Sequence, residues 1–352
     1  MNLLDCYTFL GLHPGESIEK VYRAYREILA ECHPRKYYSS PKQLAAACER
    51  WYTFHEAYYN IALTVTQEVM GNVAAQSVPD IQNASSLVEG AIRFRELGRF
   101  SDSLAEFANA IRCDPSNAVA YVELAQLFGT MQLPAQAIKA ISCALQINPK
   151  HYLALFIMAQ EHMSLGTILS VCRREREAIA YFEKAIEWHK INIQHNGPDA
   201  IIYTDLGEAY EAVERFDDAI CAYNEAILLY EQVAALNPDD PEVHRDLGCA
   251  CLSAQRYRDA ISAFQDLISL DGDGSANWWF LGVAHNYLKE FRHAIQAFKE
   301  AIRLKPDDVM AHLYLGRAQL KINNKLEALE EYKILRGLDS AQADKLFTEI
   351  YP

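Results

Sequence analysis

From about residue 84 to 340, apolar and polar positions alternate at helical spacing, and the pattern repeats. A small residue followed downstream by Ala-x-x-x-(aromatic or Ile) falls at Ala91, Ala125, Ala159, Gly207, Gly248, Gly282 and Gly316. The intervals are 34, 34, 48, 41, 34 and 34 residues. A second small residue follows at Ser103, Ala137, Ala178, Ala219, Ala260, Ala294 and Ala328. Small side chains at both places let two antiparallel helices approach closely, and the bulky residue four positions on fills the remaining gap. Prolines such as Pro115, Pro149 and Pro306 stop the second helix. One such hairpin cannot bury its own apolar face, so stacked copies must share a core. The long intervals exceed 34 by 14 and 7 residues, and seven residues are about two helical turns, which keeps the buried stripe nearly in phase. The spacing places one extra block at Thr167–Arg173 and the others at Ile191–Pro198 and Glu231–Pro238, where second helices lengthen by ~10 Å.

The copy Trp278-x-x-Leu281-Gly282-x-x-His285, continued by Ala294-x-x-x-Phe298, Ala301 and Pro306, resembles the tetratricopeptide repeat, a 34-residue helix-turn-helix unit. The resemblance implies a right-handed α-solenoid of about seven repeats over 84–340, closed by a capping helix in 341–352. It also implies a concave groove lined by the first helices, which receives a partner segment. The register turns Phe156, Ile157 and Gln160 of the third repeat toward that groove. Asp205, Glu208, Glu211, Glu242 and Asp246 make its middle acidic. Trp279, Phe280, Val283, Tyr287, Met310, Leu313, Tyr314 and Arg317 make its C-terminal end apolar and aromatic, while Trp278 falls at a core position. Aromatic residues with Arg at the rim have the composition of binding hot spots. An amphipathic or extended segment with basic flanks fits such a groove. Some members of the family clamp a C-terminal carboxylate with Lys and Asn. Here Val88, Ile92, Thr204, Glu208, Trp279 and Val283 hold those places, which argues against that mode.

Residues 1–70 do not follow the repeat. An amphipathic helix starts near Ser17, with Ile18, Val21, Tyr22, Tyr25 and Leu29 on one face. Pro34 and Pro41 bracket a loop, a third helix runs from Gln43 to Tyr59 or on to Val69, and 71–83 reads as a linker. Asp5-x-Tyr7-x-x-Leu10-Gly11-Leu12, Ala24-Tyr25-Arg26, His33-Pro34-Arg35-Lys36 and Phe54-x-Glu56-Ala57-Tyr58 together resemble a J-domain, the module by which co-chaperones activate a DnaK-type ATPase. The resemblance implies a chaperone-facing basic helix, here Lys20, Arg23 and Arg26, and a His-Pro-Asp loop whose Asp is replaced by Arg35. Glu27 and Glu31 share one helical face and oppose an acidic chaperone surface. The sequence therefore predicts a degenerate J-like head that does not stimulate ATP hydrolysis.

Charge sharpens this picture. The chain of 352 residues carries 33 Lys and Arg against 47 Asp and Glu, a net charge of −14. The first 70 residues hold 7 and 8 of these, so the acidity belongs to the repeats. Nucleic acid and anionic membrane surfaces are excluded as general partners, since both are negative. No apolar run approaches the ~18 residues of a membrane span, and the first residues lack the basic stretch of a secretory signal. Nine scattered cysteines read as reduced thiols of a cytoplasmic protein.

Candidate chemistry is sparse. Cys249-x-Cys251 lacks the second half-site that a structural zinc needs, His189 and His195 read as lone surface histidines beyond a helix end, and Asp271-Gly272-Asp273-Gly274 reads as a turn. No phosphate loop or nucleophile elbow occurs, so no catalytic residue, metal or cofactor is expected.

The sequence thus predicts an all-α, non-enzymatic adaptor: a J-like head in 1–70, a linker in 71–83 and seven repeats in 84–340. Its expected partner is a protein or peptide segment, and an apolar groove also permits a homo-oligomer. The alternatives are a working co-chaperone with a DnaK-type partner and a regulator gated by peptide or ligand.

Overall fold

Every first helix of the repeat ends in the same way. The residue closing the turn takes a left-handed conformation at Gly98, Gln132, Arg173, Glu214, Gln255, Lys289 and Asn323, with φ between 55° and 69°. The next amide then donates back across the turn. Arg99 reaches the Phe94 carbonyl at 2.9 Å, Arg174 reaches Leu169 at 2.9 Å, and Asn324 reaches Gln319 at 2.9 Å. This is the Schellman closure, which satisfies carbonyls that a helix end leaves open. The seven turns are spaced by 34, 41, 41, 41, 34 and 34 residues. Seven hairpins are therefore present, but with three successive intervals of 41.

The computed structural model describes residues 3–32, 41–74, 84–272 and 274–351. Every regular element among them is an α-helix. The chain divides into two units, 1–197 and 198–352. The first holds α1 (Leu3–Phe9), α2 (Ile18–Cys32), α3 (Pro41–Ala74) and three hairpins. These are α4 (Ala84–Glu96) with α5 (Phe100–Cys113), α6 (Ala118–Thr130) with α7 (Pro134–Ile147), and α8 (Tyr152–Val171) with α9 (Glu175–Asn196). In the second unit, α10 (Ala200–Ala212) pairs with α11 (Phe216–Leu236), and α12 (Pro241–Ser253) with α13 (Tyr257–Leu270). There, α14 (Ser275–Tyr287) pairs with α15 (Phe291–Leu304), α16 (Val309–Lys321) with α17 (Lys325–Leu338), and α18 (Ser340–Ile350) follows.

The third hairpin corrects the sequence register. Its close-approach residue is Gly166, where a Cβ would stand 2.6 Å from the Phe182 ring. The equivalent distances are 2.5 Å for Gly207 against Tyr223, 2.4 Å for Gly248 against Phe264 and 2.6 Å for Gly282 against Phe298. Ala159 lies seven residues too early. The extra block therefore sits at the start of α8, which has 20 residues against 13 in α6, and not at Thr167–Arg173. Seven residues rotate the helix by only about 20° from its starting phase, so both registers share one buried stripe. The lengthened start of α8 meets the lengthened end of α9: Asn192 Nδ2 donates to the Tyr152 carbonyl at 3.1 Å, and the Phe156 and His189 rings lie edge to face at 6.4 Å, so His189, expected at the surface beyond a helix end, is buried within α9. In the second unit the extension of α11 leaves Val233 and Leu236 exposed.

The corrected α8 also revises the expectation about long apolar runs. It is long and apolar enough to cross a membrane by length and composition, and it buries half of that window inside the protein. Ala154, Leu155, Ile157, Met158 and Gly166 are among the residues it buries.

At the N-terminus, Pro41–Ala74 is one continuous 34-residue helix, so the first four residues of the expected linker are helical. Tyr25 of α2 stacks on Tyr58 of α3 at 3.9 Å, and the Tyr25 hydroxyl meets His55 Nδ1 at 2.6 Å. A continuous apolar core runs from Cys6 in α1 through α2, α3 and the first two hairpins to Met158 in α8. Such shared burial, at about 25 cal/mol per Å² of apolar surface, makes the head part of the first hairpins' core.

Candidate protein-binding face

In the second unit the first helices contact one another in sequence, α12 with α14 and α14 with α16. Asp side chains cap three of their starts. Asp199 accepts from the amides of Ile201 and Ile202, Asp240 from Glu242, and Asp308 from Met310 and Ala311. A short side-chain acceptor there satisfies amide donors that no earlier turn reaches.

Leu252 of α12, Trp279 of α14 and Tyr314 of α16 are partly buried against one cluster, which includes Val283, Phe298 and Leu315. Trp279 lies edge-on to Tyr314, with ring centres 5.7 Å apart. Its indole Nε1 is buried with no hydrogen-bond partner among the described residues. Met310 and Tyr287 are exposed, and Tyr287 stacks on Tyr257 at 5.2 Å.

Several residues of the expected groove are spent on packing instead. Val283 and Ile157 are buried between helices, and Leu313 is buried with Ala328, Leu335 and Leu346. Phe280 stacks on Phe264 of the preceding hairpin at 5.3 Å, with planes 12° apart. Arg317 grips Glu349 of α18 at 2.6 and 2.9 Å, and Leu346 of the same helix stands 2.6 Å from where a Cβ on Gly316 would be. Trp278, expected in the core, is only half-buried and donates its indole N–H to the Gly272 carbonyl at 3.1 Å. In the first unit Phe156 and Gln160 are half-buried on the extended start of α8. The corrected register puts Met163 and Thr167 where sequence spacing put Phe156 and Gln160.

The acidic end of the face lies on α10 and α12. Desolvation, then Glu211, raises the Glu208 carboxyl above its ordinary range although the residue stays exposed. Burial raises Asp246 as well, partly offset by Arg245, with Glu242 and Asp240 adding to the rise. Burial lifts the Cys249 thiol to about 11, followed by the negative field of Asp246 and, after Arg245 offsets part of it, Glu208. Asp205 is half-buried on the same helix as Glu208.

The head presents a second surface. Lys20, Arg23 and Arg26 are exposed on α2. Lys20 pairs with Glu16 at 2.8 Å, and Arg26 lies 5.9 Å from the Tyr22 ring centre. Arg23, Arg26, Tyr22 and Phe100 line an open cleft of about 500 Å³. His33, Pro34, Arg35 and Lys36 lie outside the described residues. The other face of the head crosses the turns of three hairpins. Glu19 accepts from the Ser101 amide at 2.7 Å, Tyr58 donates to the Met131 carbonyl, Cys48 donates to the Val171 carbonyl at 3.3 Å, and Arg174 donates to Tyr52 Oη at 2.6 Å.

Three family models described as tetratricopeptide repeat match residues 158–232, 222–281 and 281–343. A crystal structure of a tetratricopeptide repeat protein from Parabacteroides merdae is similar, with 14% identity, a TM-score of 0.53, and coverage of 77% of this chain and 100% of that one. A chain in the crystal structure of the APC/C hetero-tetramer Cut9–Hcn1 is 16% identical with a TM-score of 0.50; the match covers 99% of this chain and 62% of the other. At these identities the likeness concerns the fold alone. No curated protein matches the sequence. The matched models run without a gap from 158 to 343, more than half of the chain, and the same turn closes all seven hairpins: the chain belongs to the tetratricopeptide-repeat family.

Proposed function

We propose that this chain is a non-enzymatic adaptor whose second unit captures a protein segment carrying basic residues beside an apolar side chain. The observation that carries the reading is placement: Asp205 and Glu208 on α10 and Glu242 and Asp246 on α12 are followed, on the first helices of the next two hairpins, by Trp279 and Tyr314, whose rings meet edge-on at 5.7 Å. Besides burial, Glu211 beside Glu208, and Glu242 and Asp240 near Asp246, push these carboxyls up, and an arriving Lys or Arg relieves that crowding of like charge. Trp279 and Tyr314, one and two hairpins further on, supply apolar contact for the rest of the segment. The alternation of acid and aromatic along first helices suits an extended or helical segment.

The test is capture of partners from the native cell extract by the full chain, compared with Asp246→Asn and Trp279→Ala. A dominant partner lost in both variants, with retention falling as salt rises, supports the reading. A partner indifferent to both substitutions overturns it. A second reading, a DnaK-type co-chaperone, draws support from exposed Lys20, Arg23 and Arg26 on α2. It requires that the chain stimulate the chaperone's ATPase and that His33→Gln abolish the effect. The departure at Arg35 counts against it.

A further inference from the structure

The turn between α14 and α15 brings together three metal-ligating side chains that the adaptor reading does not use. His285 lies in the last turn of α14, Glu290 immediately precedes α15, and His293 is its third residue. The turn itself is fixed. Lys289 is left-handed at φ 63°, the Glu290 amide donates to the His285 carbonyl at 2.9 Å, and the His293 amide donates to the Glu290 carbonyl at 3.0 Å. Three ligands on one short, doubly bonded turn therefore hold their spacing without help from a distant part of the chain.

Their side chains converge. Glu290 Oε2 lies 2.8 Å from His285 Nδ1 and 3.7 Å from His293 Nδ1. The two imidazole ring centres are 5.2 Å apart, and one donor atom from each of the three residues falls within 4.8 Å of the others. An ion with donors at ~2.0–2.1 Å in tetrahedral array sets those donors roughly 3.3 Å apart, between the two distances seen. Among the described residues this is the one cluster of three such groups. A structural His–carboxylate pair accounts for His285 and Glu290 alone. His293 stands where four other hairpins carry the acid of an i,i+3 pair, as in Arg99–Asp102 and Arg215–Asp218; here the signs are reversed, and the pairing brings a second imidazole to a carboxylate oxygen that His285 already holds.

We propose that His285, Glu290 and His293 form a binding site for a divalent transition-metal ion, zinc being the ion that two imidazoles and one carboxylate suit. Calcium and magnesium prefer all-oxygen shells and are disfavoured by two nitrogen donors. His285 is 12% exposed whereas His293 is 64% exposed, so the site is walled on one side and open on the other. The open side leaves the fourth position to water or to a donor from a bound protein. The site is independent of the acidic and aromatic face described above, and neither reading depends on the other.

The test uses the full chain and Zn²⁺ alone. Equilibrium dialysis or calorimetry should find one tightly held ion per chain, with affinity roughly tenfold or more weaker in His293→Ala and in Glu290→Gln. His293 is largely exposed, so its removal leaves folding intact, which circular dichroism checks. Because the chain has nine cysteines, Co²⁺ absorption supplies the second readout. Nitrogen and oxygen ligation gives d–d bands without a thiolate charge-transfer band, and those bands disappear in His293→Ala. Zn²⁺ binding that His293→Ala leaves unchanged, a thiolate band accounting for the bound Co²⁺, or no bound ion at all overturns the proposal.

Discussion

The Phe182 ring occupies the space that a side chain on Gly166 would need: a Cβ there would lie 2.6 Å from Cε1 and 2.8 Å from Cζ. The contact locks α8 to α9 at closest approach and sets the register of the third hairpin. Gly166→Ala is expected to cost about 1–3 kcal/mol despite alanine's better helix propensity, because a buried ring must move. Gly90→Ala is the control. It lies within α4 with nothing within 4 Å of its Cβ, and it should gain about 0.5–1 kcal/mol. Urea unfolding of the two variants checks both signs.

Six of the seven hairpin turns place a non-glycine residue in the left-handed region. Glu214, at φ 61°, is exposed. The left-handed region costs an L-residue about 1–2 kcal/mol, and glycine loses about 0.5–1 kcal/mol of that gain to chain entropy. Glu214→Gly is therefore expected to stabilise by about 0.5–1 kcal/mol, and Glu214→Val to destabilise. Thermal unfolding midpoints decide between them.

Glu161 and His189 give the first unit opposite pH responses. Burial pushes the Glu161 carboxyl up to about 7, so the folded chain holds a proton that the unfolded chain releases from about pH 4.5. Its contribution to stability falls as pH rises from there to about 7. Burial pulls His189 down to about 4, so the folded ring stays neutral while the unfolded ring protonates below pH 6.5. Its contribution falls as pH drops through that window. In Glu161→Gln, stability should rise with pH between 4.5 and 6.5; in His189→Gln it should fall, each by an amount on the order of 3 kcal/mol across the window. Unfolding free energies measured at several pH values test the pair.

Glu19 ties α2 to the start of α5. Burial raises its carboxyl, but hydrogen bonds from the Ser101 amide and hydroxyl and from Ser17 outweigh that and leave it lowered. A lowered carboxyl stabilises the fold above the ordinary carboxylate value and loses that contribution as pH falls through its folded value. Glu19→Gln should loosen the head at neutral pH, and the wild type should loosen in the same way in acid. Faster hydrogen exchange of the Ser101 amide is the readout.

The repeat itself was legible in the sequence, because paired small residues at intervals of mostly 34 positions, the bulky residue four places on and prolines after second helices carry local instructions. Period, hairpin count and the C-terminal helix all follow from contacts within one or two hairpins. The third register was not legible. A seven-residue insertion turns a helix almost back into phase, so Ala159 and Gly166 present the same apolar stripe, and only the Phe182 ring tells them apart. Burial of Val283 and Leu313, the docking of Glu19 and Tyr58 on hairpin turns, and the meeting of His285, Glu290 and His293 were likewise decided by tertiary structure. Each depends on which helix stands opposite or how a turn closes, and the spacing of residues along one chain does not specify that.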